Sequence, residues 1–266
     1  MDQRIEWTDR RIADGGVVEQ GFRLTRETHV VPGALWLPST PHASPPALVL
    51  LGHGGSGHKR SERVGALAHR FASRGGLAAL AIDGPYHGER VPRPMSAAEY
   101  QARIAAEGID AVLDRMTADW LSSIRALGIS GIVDVDHLAY LGMSMGTRLG
   151  IPVAAALDGR LRCVVLGKFG FRQGPALHEG LRATERLAAE ARRISAPTLL
   201  HLQWDDELFP RDGQLAFFDA LGARDKQLIG YVGSHAEANP DAVSRWCDFV
   251  CRHLLSEAVV DCDHAV

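Results

Sequence analysis

Three short stretches hold residues whose types and spacing could do chemistry together: Gly142-Met143-Ser144-Met145-Gly146, Asp205-Asp206 and Gly233-Ser234-His235. Serine is a poor nucleophile at neutral pH. Attack by its hydroxyl needs an imidazole to take the proton and a carboxylate to hold that imidazole in the right tautomer. The three stretches supply these groups, and the implied reaction is attack of Ser144 on a carbonyl carbon with His235 as base. Either Asp205 or Asp206 can serve as the acid. A fourth stretch, Gly52-His53-Gly54-Gly55-Ser56-Gly57, has four glycines in six residues. That density lets backbone amides turn toward a ligand that side chains would otherwise block.

Each of these stretches has a plainer competitor. G-x-S-x-G also arises as an ordinary strand-to-helix turn, a glycine run as a surface loop, and one of two adjacent acids as a helix cap. His53 and His58 have no acid cluster beside them, so His53 reads as orienting its loop rather than binding metal. Tyr86 and His87 are read either as pocket residues or as parts of a structural turn. Lys168, Phe169 and Phe171 follow a strand end and are read either as a pocket wall or as packing.

The elements needed to position these groups can be read from apolar patterning. Residues 20–27 and 29–37 read as a hairpin, and 47–51 as a strand buried on both faces that runs into the glycine loop. A helix over 61–74 with Ser61 as N-cap and Gly75-Gly76 as its stop, then a strand over 77–82, complete a βαβ unit, which implies a parallel sheet. Two helical pieces broken near Gly108 follow. The first, 96–106, is polar enough to lie over the site, and the second, ending near 127, has a broad apolar stripe. Strand 136–141 delivers Ser144, helix 147–157 follows it, and 161–167 is the next strand. Residues 168–194 read as mostly helical. Strand 197–202 leads to the acids, helix 212–221 and strand 226–232 lead to His235, and helix 241–255 closes the fold before a frayed tail.

With serine, acid and histidine in that order, each just past a strand, the chain resembles the α/β-hydrolase superfamily, in particular its dienelactone-hydrolase-like and related esterase branches. The resemblance spans roughly residues 20–255. It implies a single domain with a mostly parallel, doubly wound sheet of about eight strands flanked by helices, with cap or wall segments at 91–108 and 168–195. It implies Ser144 as nucleophile and His235 as base. The acid falls on Asp206, because Asp206-Glu207-Leu208-Phe209-Pro210 matches the family's spacing, with Asp205 second. The backbone amides of Met145 and Gly55 would form the oxyanion hole, and Asp83-Gly84-Pro85-Tyr86-His87-Gly88 resembles a turn that is normally structural. His87 and Phe169 are the candidate substrate contacts. The implied activity is cleavage of an ester, thioester or lactone through an acyl-enzyme. The alternatives are acyl transfer or peptide cleavage by the same groups, or a binding protein that keeps the fold.

Composition narrows the partners. The 266 residues are 46% hydrophobic and 23% charged, with 29 basic and 32 acidic side chains and a net charge of −3. That balance argues for a small-molecule substrate over nucleic acid. No run approaches the roughly 18 apolar residues of a membrane span, and the first residues lack the apolar core of a secretory signal, so a cytoplasmic protein is expected. Cys163, Cys247, Cys251 and Cys262 read as buried small hydrophobes, without the spacing of a metal site or disulfide framework. No metal or organic cofactor is needed for the implied reaction, and a homodimer is compatible with the sequence.

Overall fold

The computed structural model describes residues 5–39 and 44–255. The tail expected after 256, Cys262 and the middle of the 38–46 loop lie outside the described residues. In chain order the elements are β1 (Ile5–Ile12), β2 (Val18–Arg26), β3 (His29–Leu37), β4 (Ala47–Gly52), α1 (Glu62–Gly75), β5 (Ala78–Ile82), α2 (Ala97–Glu107), α3 (Ile109–Ser130), β6 (Asp134–Met143), α4 (Met145–Ala156), β7 (Leu161–Gly167), α5 (Thr184–Ala191), β8 (Thr198–Gln203), α6 (Arg211–Ala220), β9 (Lys226–Tyr231) and α7 (Pro240–Leu254).

The strands form one sheet in the order β1-β2-β3-β5-β4-β6-β7-β8-β9. β1, β2 and β3 are antiparallel, and β3 also runs antiparallel to β5. From β5 to β9 every pairing is parallel. A sheet of this kind must be covered on both sides, and its central strands are apolar on both faces. Tyr140, Leu138, Leu50 and Val164 face one core with helices α3, α4 and α6, and Leu141, Val49, Cys163 and Val165 face the other with α1 and α7. Cys247 and Cys251 are buried in that second core.

The chain goes from β4 to β5 on one side of the sheet and then returns to place β6 on the other side of β4. Where strand order reverses like this, the loops leaving neighbouring strands diverge and open a crevice at their carboxyl ends. The glycine loop after β4 and the Ser144 turn after β6 flank that crevice. Lys168, Asp206 and His235 follow β7, β8 and β9 at the same edge.

One expectation is sharpened and one needs correction. The sheet has nine strands among the described residues against about eight expected, because Ile5–Ile12 is a strand that the apolar patterning did not pick out ahead of the 20–37 hairpin. Glu6, Asp9, Arg10 and Arg11 hide its alternation, which is common on an edge strand whose outer side meets water. The segment 168–194 is not mostly helical: it has a short 3-10 turn at Glu179–Leu181 and only α5 as regular helix. Gly170, Gly174 and Gly180 interrupt its helical spacing. Its backbone bonds to the loop after β8 and the first turn of α6 instead, Gly174 N–H to Leu208 O at 2.8 Å and Phe171 N–H to Gly213 O at 3.1 Å.

Candidate active site

Ser144 lies between β6 and α4 with φ 59° and ψ −116°, a conformation that costs a non-glycine residue of order 1–3 kcal/mol and persists only where its surroundings enforce it. The enforcement is visible. Ser144 N–H donates to Gly167 O at 2.9 Å, and Tyr140 Oη donates to Gly146 O at 2.6 Å. The hydroxyl of Thr147 reaches Gly142 O at 2.7 Å and accepts from Gly167 N–H at 2.9 Å. Gly146 is required by close approach: a Cβ there would stand 2.4 Å from Gly52 O and 2.8 Å from Gly52 C, both backbone atoms. We expect Gly146→Ala to push apart the turn and the glycine loop, lowering stability by about 1–3 kcal/mol in urea titrations and lowering turnover with it.

The structure brings the three separated groups into one line. Ser144 Oγ is 2.8 Å from His235 Nε2, and His235 Nδ1 is 2.8 Å from Asp206 Oδ2 and 3.0 Å from Oδ1. Asp206 Oδ1 also accepts from the N–H groups of Leu208 (2.9 Å) and Phe209 (2.8 Å), which anchor the carboxylate. Facing an acceptor, His235 carries its proton on Nδ1 and turns the Nε2 lone pair toward the Ser144 hydroxyl. The neighbouring acid has a different position: Asp205 Oδ2 accepts from Gly233 N–H at 3.2 Å, on the exposed side of the loop.

These groups open into a cavity of about 620 Å³ lined in part by Gly54, Gly55, Met145, Tyr100 and Gln101. The last two belong to α2, whose first turn is closed by a capping box between Ser96 and Glu99. Gly55 and Met145 line the same cavity as Ser144. His87 and Phe169, the expected substrate contacts, do not line this cavity. His87 lies behind the glycine loop, with its ring nitrogens 2.7 Å from Pro85 O and 2.9 Å from Gly55 O. Phe169 is 2% exposed and packs on Phe209 and Phe217.

His53 shows how the glycine loop is held. Its Nε2 accepts from Gly84 N–H at 2.7 Å and its Nδ1–H donates to Gly54 O at 2.9 Å. Burial pushes its pKa down to about 4, so it works as a neutral clamp between the loops after β4 and β5. The second of these loops is fixed by Asp83, which accepts from Lys59 Nζ at 2.8 Å and from the N–H groups of Lys59 and Glu89. The turn is structural, and Gly88 permits it, since a Cβ there would fall 2.3 Å from the Asp83 carboxyl group.

Lys168 lines the cavity and braces the loop that carries the histidine. Its Nζ donates to His235 O at 3.0 Å and also to Glu237 O. Burial is the main reason its pKa falls to about 8 from 10.5. Between those two values the unfolded chain keeps a proton that the folded chain has released, so folding is favoured as pH rises across that window. We expect the melting temperature of the wild type to gain on that of Lys168→Met between pH 8 and 10.5, measured by calorimetry.

Sequence reasoning missed Arg148 and Tyr100 as cavity residues. Arg148 left a signal, as the one charged residue in the twelve of α4. Tyr100 left none, because an aromatic on the apolar stripe of a short helix reads as packing.

A mostly parallel sheet with a strained serine turn after a central strand, backed by histidine and carboxylate at neighbouring strand ends, defines an α/β hydrolase. No protein-family model and no curated protein matches the chain. Among solved structures, a cold-adapted esterase from an Arctic intertidal metagenomic library, in complex with PEG, is 32% identical, with a TM-score of 0.78 over 94% of this chain and 99% of that one. An acetyl xylan esterase from Paenibacillus sp. R4 is 19% identical, with a TM-score of 0.74 over 96% of this chain and 89% of that one. An S-formylglutathione hydrolase from Agrobacterium tumefaciens is 17% identical, with a TM-score of 0.67 over 94% and 99%. The last two share the fold. The chain belongs to the α/β-hydrolase superfamily and is similar there to an esterase. Among the described residues, no helix is long and apolar enough to cross a membrane.

Proposed function

We propose that the protein is a serine esterase that cleaves carboxylic ester-type bonds of small molecules through an acyl-enzyme. The observation that carries this reading is the hydrogen-bonded chain from Ser144 through His235 to Asp206, which ends at the floor of a cavity large enough for a small organic ester. His235 takes the Ser144 proton as the hydroxyl attacks the carbonyl carbon, and the amides of Gly55 and Met145 hold the oxygen that becomes negative. Each such donor is worth on the order of 3 kcal/mol in the transition state. His235 then gives its proton to the leaving alcohol, activates a water in the same way, and the acid is released.

Helix α2 and the 168–195 segment act in this reading as cap and wall. His87 and Phe169 support the glycine loop and the wall from behind. A cytoplasmic enzyme without a nucleic-acid partner completes the proposal. The test is a p-nitrophenyl ester series of increasing acyl length together with a fluorophosphonate probe. Turnover with a chain-length optimum and a single label on Ser144 are expected. No turnover and no label would sink the reading and move a binding protein ahead of it.

A further inference from the structure

Helix α4 is built of apolar and small residues except at Thr147 and Arg148. Arg148 lies one turn past Ser144, its N–H donating to Ser144 O at 3.0 Å, and both residues line the same cavity. The arginine is 4% exposed and lines the cavity into which Ser144 and His235 open. Its Nε and Nη2 have no hydrogen-bond partner, and it makes no ion pair among the described residues. The guanidinium carbon lies 5.7 and 5.5 Å from the ring centres of Phe169 and Phe209. Such aromatic faces steady the group but accept none of its in-plane N–H bonds.

A buried cation with open donors is expensive to maintain, and proteins normally pair it. Although burial lowers its pKa to about 10, Arg148 stays charged near neutrality. The cavity reinforces the sign. Arg63 and Lys168 also line it, and no Asp or Glu does, although acids outnumber bases in the chain. Lys168 already gives two of its three donors to carbonyls, whereas Nε and Nη2 of Arg148 have no partner at all. The two buried, unpartnered nitrogens form one edge of the guanidinium, the edge that grips a carboxylate through two parallel bonds.

We propose that Arg148 is a specificity residue that receives a carboxylate carried by the ester substrate away from the scissile bond. The inference rests on the serine-esterase reading and narrows its substrate class to esters with a free acid group, on either the acyl or the alcohol side.

Matched substrate pairs followed in a pH-stat test it. Monomethyl esters of linear diacids are compared with neutral methyl esters of equal acyl length, and 4-acetoxybutanoate with butyl acetate. The expected result is a kcat/KM on the order of 10–100-fold higher for the anionic member of one of the pairs. Arg148→Met should erase that ratio and Arg148→Lys restore part of it. The wild-type comparison and competitive inhibition by a free diacid such as glutarate need no variant, so misfolding of Arg148→Met leaves the inference testable. Turnover with equal kcat/KM for charged and neutral members of both pairs, and no inhibition by glutarate, would overturn it while leaving the esterase intact. No turnover of any ester and no fluorophosphonate label would instead remove the esterase reading, and this inference with it.

Discussion

Replacing Ser144 with alanine should lower kcat on p-nitrophenyl esters by about 10⁴-fold or more and abolish fluorophosphonate labelling. The Ser144 hydroxyl stands 2.8 Å from His235 Nε2, and alanine leaves that base with no nucleophile to activate. The residual rate would come from the cavity and the Gly55 and Met145 amides polarising a carbonyl for direct attack by water. The fold should survive. The backbone bond from residue 144 to Gly167 O does not use the side chain, and the bonds of Tyr140 and Thr147 keep the turn closed. Alanine also keeps a Cβ at φ 59°, so the strain is unchanged. Circular dichroism and the melting temperature should therefore match the wild type. Activity within a hundredfold of the wild type would show that Ser144 is not the nucleophile.

The parts of this design that could be read from sequence are those where one local rule speaks alone. The apolar runs of β4, β5, β7 and β8 have no other explanation than burial on both faces, and Gly108 breaks two helices where the pattern says it does. The Ser144, Asp206 and His235 stretches stood out because each follows a strand and carries a side chain with chemistry. Choosing Asp206 over Asp205 needed the resemblance, since adjacent residues in a turn point in opposite directions and composition does not say which. The substrate contacts were less visible because they depend on which loops meet. His87 and Phe169 sit one layer behind the cavity. Arg148 and Tyr100 reach it from helices whose rotation about their axes is set by packing. The Arg-rich 168–194 segment misled for a related reason: its helix-forming composition competes with glycines whose backbone docks against the Glu207 loop and the first turn of α6 at Gly213, and tertiary contact wins.

Asp206→Asn should cost about 10³ to 10⁴ in kcat while leaving the fold in place. The reason lies in how the carboxylate is held. Its Oδ1 accepts from the N–H groups of Leu208 and Phe209, so an asparagine must keep its carbonyl oxygen there. The amide nitrogen then replaces Oδ2, 2.8 Å from His235 Nδ1, and presents a donor where an acceptor stood. Only an unprotonated Nδ1 can receive that bond, so the imidazole proton moves to Nε2 and points at the Ser144 hydroxyl. The base is present and well placed but carries its proton on the wrong nitrogen. Two controls separate this from loosening of the loop. Asp206→Ala should lose both turn bonds and drop stability by about 1–2 kcal/mol more than Asp206→Asn. Asp205→Asn changes only the exposed contact to Gly233 N–H and should leave kcat within about threefold of the wild type. If Asp205→Asn proved the more damaging of the two, the acid would belong one residue earlier, and His235 would have to turn away from the carboxylate it faces.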